Sequence, residues 1–567
     1  RDRSVSRGLG DVYKRQIDTS ETWKAAVSVT GKGDTNIELN GNNTLTSGDG
    51  YAGLEHNKKT DSEGKETSGT LTITDDKGDA GKLTATGGNQ SAGIGGGSGN
   101  DGQAAITGGE IIAKGGNYGA GIGGGDVGNG TVTITGGSIT ATGGRLAAGI
   151  GGGAGKYQAV GGNGDVKISG GTIIATGGYE GAGIGGGNEK DGQVTITGGE
   201  IIANGGDGSA GIGGGYSGNG TVTISGGTVT EASGGGEGAG IGGGDSGNGT
   251  VNISGGTITK ASGGYYGAGI GGGSSGLGNV SIEGNVTIKN AQGGVGAAGI
   301  GGGARGTSDA AGNGNKISIK STAAGSPNIT AKGGKASDDG LSGGAAIGSG
   351  SVVAGATEVK SDITIEGKVT IDATGGGNVA IGDNIDGEKV FNGLAGGTNI
   401  KRTDSNGKDV TQDGDVVAEP EPEPKPEPEE PEKPAQPTVT PTEAAEAPST
   451  GSVEVEHPVT VEGLYVTNVL GKQITHTCTQ NGTTLTIRAN GIVTSAHLTL
   501  GMVRTLKAQG VKTLVFTTLL SRSTTVSVDA LLAAEPDAPD ETAVVWTHTG
   551  VRTALTIGGA DHSALLK

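Results

Sequence analysis

The chain has 567 residues, of which 128 are glycine and only two each are phenylalanine and tryptophan. So few bulky apolar side chains argue against a conventional enzyme core of this length, whereas a repeat solenoid tolerates the composition. The net charge of −19 argues against nucleic acid and anionic membranes as partners. The single cysteine, Cys478, excludes an internal disulfide, and no apolar run is long enough to span a membrane.

Residues 1–16 differ in character from the sequence that follows them. The stretch RDRSVSRGLGDVYKRQ is basic, and it has neither an initiating methionine nor the apolar segment of a signal peptide. It resembles the spurious translated ends of metagenomic assemblies, so we treat it as non-native and expect the true N-terminus and any signal to be missing. Residues 18–35, which include Trp23, are predicted to cap the repeat that follows.

Residues 36–403 carry an internal repeat. Its most regular part is the sextet AGIGGG, whose isoleucines recur 28 to 34 residues apart at Ile94, Ile122, Ile150, Ile184, Ile212, Ile241, Ile270 and Ile300. Looser copies around Leu54, Ile347 and Ile381 bring the number of units to eleven. A fixed period of this size predicts an architecture in which each unit buries its apolar face by stacking on its neighbours.

Each unit reads as three short strands. In the copy at 131–153, Val132 and Ile134 alternate with threonine, which is the period of a strand with one buried face. A second alternating strand follows at 138–142, and in a third strand Ile150 alternates with glycine. Gly-Gly pairs separate the strands and allow the chain to turn sharply.

Two all-β architectures fit this pattern. One is a right-handed parallel β-helix of about eleven three-strand coils; the other is an array of hairpins in which Ile134 would lie opposite Ile139 across a Gly-Gly turn. We favour the β-helix, because the glycine-rich third strand would be a weak exposed edge in a hairpin array but is paired above and below in a coil.

The unit VTITGG, ITATGG and GAGI resembles the repeat of a family of bacterial secreted carbohydrate-binding proteins. That family forms a right-handed parallel β-helix of the pectate-lyase type, with coils reading LTITGGTLTV and then GDGIDA. The resemblance covers residues 36–383, about three-fifths of the chain. It implies an extracellular or cell-surface protein that binds polysaccharide or cell-wall glycan. The family's acidic GDGID is GAGIG here in nearly every coil, so no metal and no cofactor are predicted.

The turn before AGIGGG carries the candidate binding residues. In stacked coils these residues would form one ridge of aromatic rings and carboxylates spaced about 4.8 Å apart. An aromatic face takes the apolar side of a sugar ring and carboxylates accept hydrogen bonds from its hydroxyls. The alternative is that turn tips simply tolerate variation. The predicted carbohydrate-binding residues are Tyr118, Tyr179, Glu180, Asp207, Glu237, Tyr265 and Tyr266.

Two weaker features accompany the ridge. The outward positions of the third strand stay glycine, which predicts a bare face for a flat partner or for self-association, although glycine drift would look the same. These positions are Gly121, Gly183, Gly211, Gly240 and Gly269. The pairs Asp126 with Asn129 and Asp245 with Asn248 suit either a weakly held ion or turn capping, and capping is the simpler interpretation.

The sequence beyond the repeat has two parts. Residues 419–450 alternate proline and glutamate, which predicts an extended, semi-rigid linker. Residues 451–567 predict a small α+β domain, expected to be truncated, with strands at TTLTIRA, ITHTCTQ and KTLVFTT, a helix at 499–510, a second helix at 528–534 and a hairpin of AVVWTHTG with VRTALTI. Five of the six histidines lie here without metal-ligand spacing, and Cys478 suits a buried structural role.

These observations predict a non-catalytic binding protein displayed outside the cell. Two alternatives remain: a polysaccharide lyase or glycoside hydrolase built on the same β-helix, and a purely structural surface spacer. The enzyme would need a local cluster of basic and acidic residues in one groove, and the uniform array shows none.

Overall fold

The computed structural model describes residues 15–417 and 457–566. Gaps fall at 65, 77–80, 156–159, 306–313, 338–339, 353–358, 384 and 393 in the first range, and at 460, 462, 469–472, 490–493, 519–522, 537 and 549–552 in the second. The chain divides into two compact units, taken in turn below. The predicted linker at 419–450 and residues 1–14 of the predicted non-native stretch lie outside the described residues.

The first unit consists of short strands joined by turns. Those before residue 152 are β1 (Arg15–Asp18), β2 (Val27–Ser28), β3 (Thr35–Glu38), β4 (Asn42–Thr46), β5 (Leu54–Glu55), β6 (Leu71–Thr74), β7 (Lys82–Thr86), β8 (Ile94–Gly95), β9 (Gly102–Ile106), β10 (Glu110–Lys114), β11 (Ile122–Gly123), β12 (Gly130–Ile134), β13 (Ser138–Thr142) and β14 (Ile150–Gly151). The remainder are β15 (Gly164–Thr176), β16 (Ile184–Gly185), β17 (Gly192–Asn204), β18 (Ile212–Gly213), β19 (Gly220–Ser233), β20 (Ile241–Gly242), β21 (Gly249–Ile258), β22 (Ala261–Ser262), β23 (Ile270–Gly271), β24 (Gly278–Glu283), β25 (Val286–Gln292), β26 (Ile300–Gly301), β27 (Asn315–Lys320), β28 (Asn328–Lys332), β29 (Ile347–Gly348), β30 (Ser361–Glu366), β31 (Thr370–Thr374), β32 (Ile381–Asp383), β33 (Gly387–Glu388), β34 (Thr398–Thr403) and β35 (Val416–Val417).

Equivalent strands of successive coils pair in parallel and in register. Ile134 of β12 lies beside Ile106 of β9 and Ile168 of β15, rather than opposite Ile139. The unit is therefore a right-handed parallel β-helix, as predicted, and the hairpin array is wrong. In β15, β17 and β19 the first and second sides of a coil run on as one strand that bends at the Gly-Gly pair.

The third side of the β-helix is a ladder of two-residue strands, mostly Ile-Gly. Within the described residues it has twelve parallel rungs from β2 to β32, one more than predicted, because Val27 pairs with Leu54. Residues 18–35 therefore contribute a rung instead of a separate cap, and Trp23 is 76% exposed. The β-helix also extends past both predicted limits of 36 and 403, since β1 pairs with β4 and β35 pairs with β34.

The core is a stack of inward-facing aliphatic side chains contributed by all three sides. In one coil these are Val132, Ile134, Ile139, Ala141 and Ile150, each at most 1% exposed. Burying one isoleucine contributes about 1.5 to 3 kcal/mol. Repetition of the set in every coil offsets the conformational entropy lost by so many glycines.

The third-side glycines that were predicted to form a bare outer face are buried. A Cβ atom at Gly211 would lie 2.7 Å from both the Gly240 carbonyl oxygen and the Ser233 nitrogen, and 2.9 Å from the Ala203 carbonyl oxygen. The backbone of the third side packs directly on the backbone of the second, without side chains between them. The prediction of an exposed interface at Gly121, Gly183, Gly211, Gly240 and Gly269 is therefore wrong.

A ladder of asparagine and aspartate side chains links the turns that precede the first side. The Asn129 side-chain oxygen accepts a hydrogen bond from the Asn163 nitrogen at 2.9 Å, and the Asn248 oxygen accepts one from the Leu277 nitrogen at 2.8 Å. Asp101 and Asp191 accept the equivalent hydrogen bonds from the backbone nitrogens of Asn129 and Asn219. Capping is thus the interpretation that holds for Asn129 and Asn248.

The C-terminal end of the β-helix is closed by charged side chains. Glu388 accepts hydrogen bonds from the backbone nitrogens of Ala380 and Ile381, at the last rung of the third side. Arg402 is fully buried and pairs with Glu388 at 2.8 Å and with Asp415 at 2.7 Å. These side chains satisfy edge groups that another coil would otherwise bond.

The second unit is α+β, as its sequence predicts. One sheet contains β36 (His457–Val459), β39 (His476–Asn481), β40 (Thr484–Ala489), β42 (Thr513–Thr517) and β43 (Ser523–Ser527). The other contains β37 (Tyr465–Asn468), β38 (Gln473–Ile474), β41 (Thr494–Thr499), β44 (Ala543–His548), β45 (Thr553–Ile557) and β46 (Ala560–Asp561). Helices α1 (Leu500–Ala508) and α2 (Val528–Ala534) fall where they were predicted, and a single 3₁₀ turn spans Ser563–Leu565.

The second unit has its own core, centred on aromatic rings. Phe516 and Trp546 are buried with ring centroids 5.7 Å apart. Thr499 and Ser527 cap the two helices with side-chain oxygens that accept hydrogen bonds from backbone nitrogens of the first turn. Cys478 is buried in the same core, and burial raises the pKa of its thiol to about 11, which fits the structural role predicted for it.

Replacing Ile212 by aspartate should destabilise the β-helix by several kcal/mol, because it places an unpaired charge in the aliphatic stack. The control is Thr223→Asp on the outer face, whose strand neighbours Thr195 and Asn252 are uncharged. Thermal unfolding of the full chain measures both. Equal effects of the two changes would contradict the inward and outward assignment.

Replacing Gly211 by alanine should destabilise the β-helix by about 1 to 3 kcal/mol or more, since the added methyl group collides with backbone atoms that cannot rotate away. Gly33→Ala is the matched control, because a Cβ atom there meets nothing within 4 Å. A Gly211→Ala protein as stable as the parent in chemical denaturation would refute the backbone-on-backbone packing.

Candidate functional site

The short third side brings two turns of each coil onto one surface. The first turn precedes the Ile-Gly rung and the second turn follows it. The Tyr216 nitrogen in a second turn donates to the Glu180 carbonyl oxygen in the first turn of the preceding coil at 3.1 Å. The same bond joins Ser274 to Glu237 and Ala304 to Tyr266, both at 2.8 Å. We call this double row of turns the paired-turn ridge.

The backbone of the paired-turn ridge holds its side chains in a fixed orientation. Tyr118 and Leu146 in first turns have φ of 70° and 73°, and Ser217 and Glu189 in second turns have φ of 53° and 56°. Non-glycine residues adopt this left-handed conformation only where hydrogen bonds or packing enforce it. The repeated bonds between first and second turns supply that constraint.

Two of the predicted tyrosines present their rings to solvent. Tyr179 and Tyr265 are each 57% exposed, in a protein whose other large apolar side chains are mostly buried. Tyr118 is half-buried. The rungs that follow Tyr179 and Tyr265 begin at Ile184 and Ile270 and are three coils apart, so the two rings are separated along the rod by about 14 Å.

Tyr266 does not belong to the exposed surface, so its assignment as a sugar-contacting residue is wrong. It is only 6% exposed and packs with Ala304 and Leu341 in a small cluster outside the main core. The guanidinium carbon of Arg305 lies 4.0 Å from the centroid of its ring, and an Arg305 nitrogen donates to its hydroxyl at 2.5 Å. Leu341 comes from the long connection between the rungs at Ile300 and Ile347, which the spacing alone could not place.

The predicted carboxylates lie on the ridge beside the tyrosines. Asp207 is exposed, and its hydrogen bond and charge raise the pKa of the Tyr179 phenol. Partial burial raises the pKa of Glu180, against the opposing effect of Arg145. Partial burial, followed by the charge and hydrogen bond of Asp245, raises the pKa of Glu237. Acidic groups on this surface therefore repel one another and are short of cations.

The second turns also contribute side chains to the ridge, which the sequence did not predict. Tyr216 is half-buried, and its ring covers Gly208, where a Cβ atom would lie 2.5 Å from the ring. The charge of Asp245 is the main cause that raises the pKa of the Tyr216 phenol. Both residues stand directly after GGG, in the motifs GGGYSG and GGGDSG, so their variability after an invariant triplet was the available signal.

Two further searches of the described residues gave negative results. No group of three or more histidine, cysteine, aspartate or glutamate side chains in the described ranges is arranged to hold a metal ion. Among the helices of those ranges, none is both long and apolar enough to cross a membrane.

Comparison with known proteins agrees with the coil geometry. The stacked coils define the first unit as a parallel β-helix. A family model described as "Beta helix repeat" matches the chain at seven successive segments, residues 79–98, 105–126, 132–154, 166–188, 194–216, 222–245 and 251–274, which supports a parallel β-helix family for the repeat. No curated protein and no solved structure matches the chain significantly.

Chelation of divalent ions should leave the thermal midpoint of the protein unchanged. The physical reason is that the asparagine ladder already commits Asn129 and Asn248 to backbone donors. The measurement is calorimetry with and without a chelator, and with added calcium. A calcium-dependent rise of many degrees would show that the neighbouring Asp126 and Asp245 act as ligands after all.

Proposed function

We propose that the protein is a non-catalytic binding protein that recognises polysaccharide along the paired-turn ridge. The observation that carries the proposal is the exposure of Tyr179 and Tyr265 on a rigid, repeating surface that also presents carboxylates. Solvent-exposed aromatic rings held in place suit the apolar faces of sugar rings, and the carboxylates beside them accept hydrogen bonds from hydroxyls.

The ridge follows the stacking direction of the coils. Successive turns are spaced by about 4.8 Å, the separation of paired strands. A polymer with its own short repeat can therefore contact several coils at once. A linear chain gains affinity from each contact without having to change its own shape. This geometry favours a polysaccharide over a small sugar.

The carboxylates of the paired-turn ridge suit a binding role better than a hydrolytic one. A glycoside hydrolase places two carboxyl groups about 5 to 9.5 Å apart on either side of the scissile bond. The charge and hydrogen bond of Asp245 raise the pKa of Glu237, which indicates that these two carboxyl groups lie closer together than a pair that flanks a scissile bond. The alternative of a hydrolase or lyase therefore gains no support from this acidic pair.

We infer an extracellular or cell-surface location for this activity. The resemblance to secreted carbohydrate-binding proteins supports it, and the Pro/Glu composition of residues 419–450 suits a spacer that holds a binding domain away from its attachment. Fractionation of a native source with an antibody against the β-helix tests the location.

The double change Tyr179→Ala and Tyr265→Ala should weaken binding of a glycan about tenfold or more, since each ring contributes a stacking contact. The full chain is first screened on a glycan array, and the affinity of the best ligand is then measured by calorimetry. Trp23→Ala is the control, because Trp23 is even more exposed than the two tyrosines but lies outside the ridge. Unchanged affinity of the double variant, or an array without any binder, would refute the proposal.

A further inference from the structure

The acidic character of the paired-turn ridge is concentrated between its two exposed tyrosines. Apart from Asp191, which belongs to the ladder of asparagine and aspartate side chains, five carboxylates lie in the turns that flank the rungs at Ile184, Ile212 and Ile241. They are Glu180, Glu189, Asp207, Glu237 and Asp245. The cations acting on Glu180 and Glu237 are Arg145 and Arg305, from turns at either end of this section. Even with Lys190 included, these five carboxylates outnumber the three basic side chains.

The folded chain does not neutralise this charge by itself. Glu180 and Glu237 are half-buried, and burial is the first cause of the raised pKa of each. Asp207 adds repulsion to both of them. Charges that are partly desolvated and mutually repelling weaken the fold, and they are retained where a ligand compensates them.

The aromatic rings of the ridge suit a cation as well as a sugar face. One of them already has a cation over it, since the Arg305 guanidinium stacks on Tyr266 at 4.0 Å. Tyr265 packs edge-on against Tyr266 and leaves its own ring exposed. Tyr179, at the other end, is exposed beside Asp207. An ammonium group near such a ring gains from both the ring and the adjacent carboxylate.

We propose that the paired-turn ridge selects polysaccharides that carry protonated amino groups, of the polyglucosamine type, over neutral and uronic acid polymers. The inference rests on the proposed function and narrows its ligand class. The tyrosine rings contact sugar faces, and the carboxylates between them pair with the amino substituents. The excess of negative charge excludes polymers of uronic acids from the same surface.

The test compares three oligosaccharides of matched length with the full chain by calorimetry, at a pH where free amino groups are protonated. They are β-1,4-linked glucosamine, its N-acetylated form and an oligogalacturonate. The amino form should bind about tenfold or more tighter than the acetylated form, with an affinity that falls as salt is added, and the uronate should not bind. Equal binding of the amino and acetylated forms would overturn the inference while leaving polysaccharide recognition intact. Failure of every glycan would overturn both.

Charge attraction alone is the competing explanation, and an oligolysine of equal charge tests it. The ridge should bind oligolysine at least about tenfold more weakly than the amino sugar, because the peptide offers no ring face to Tyr179 and Tyr265. Equal affinity for the two polycations would overturn the inference.

The variant Glu237→Gln should lose affinity for the amino form about tenfold and keep its affinity for the acetylated form. Glu63→Gln is the matched control, because it removes the same charge from an exposed loop away from the ridge. The companion variant Asp245→Asn should also weaken binding of the amino form. Unchanged binding of the amino form by both variants would contradict the inference.

Protein stability separates this role from a structural one. Since the pKa of Glu237 is raised on folding, the folded state holds that proton more tightly than the unfolded state does. The stability from this group is fully present below the ordinary glutamate pKa and is lost as the pH rises through the raised value. Glu237→Gln should therefore keep or raise the thermal midpoint at neutral pH while it weakens binding. A lowered midpoint would assign the residue to the fold instead.

Discussion

The structure of the β-helix depends on one close contact, the packing of the third side directly on the backbone of the second. At Gly211 the nearest backbone atoms would lie 2.7 Å from a side-chain carbon, so glycine is required there by sterics, and the same holds at Gly183 and Gly240. The third side is only two or three residues long in each coil. Because that side is so short, the turns on either side of it become neighbours, and the paired-turn ridge exists as a consequence.

The third-side glycines, which were predicted to form an interface, are therefore part of the scaffold. The variable positions beside them carry the side chains that are available for binding. A uniform backbone ladder fixes the turns at regular spacing while their tips differ from coil to coil. Tyr118, Leu146 and Glu180 occupy equivalent positions in their first turns with unlike chemistry. This division lets one scaffold present a row of different side chains without altering the core.

The groups that stabilise the fold and the groups proposed to bind a ligand lie in different parts of the molecule. The aliphatic side chains are buried against one another. The asparagine ladder and the buried pair of Arg402 and Asp415 find their hydrogen-bond and ion-pair partners within the fold. The ridge does not: its carboxylates repel one another, and Tyr179 and Tyr265 expose apolar rings. Because the chain contains so few aromatic residues, exposed rings beside mutually repelling carboxylates are the observation on which the proposed ligand contact rests.

The sequence alone determined the repeat, the parallel coil, its inward isoleucines and the strands and helices of the second unit, because hydrophobic periodicity and turn residues act locally and repeat many times. It also predicted Tyr179, Asp207 and Tyr265 as surface residues of the first turns, and all three are exposed. The tertiary structure decided what local pattern could not express. It buried the third-side glycines, covered Tyr266 with Arg305 and Leu341, and placed Tyr216 and Asp245 beside the first turns. Those outcomes depend on how closely two sides of a coil approach each other and on where the long connection between Ile300 and Ile347 packs. Such distances are set by packing between segments that are far apart in the chain.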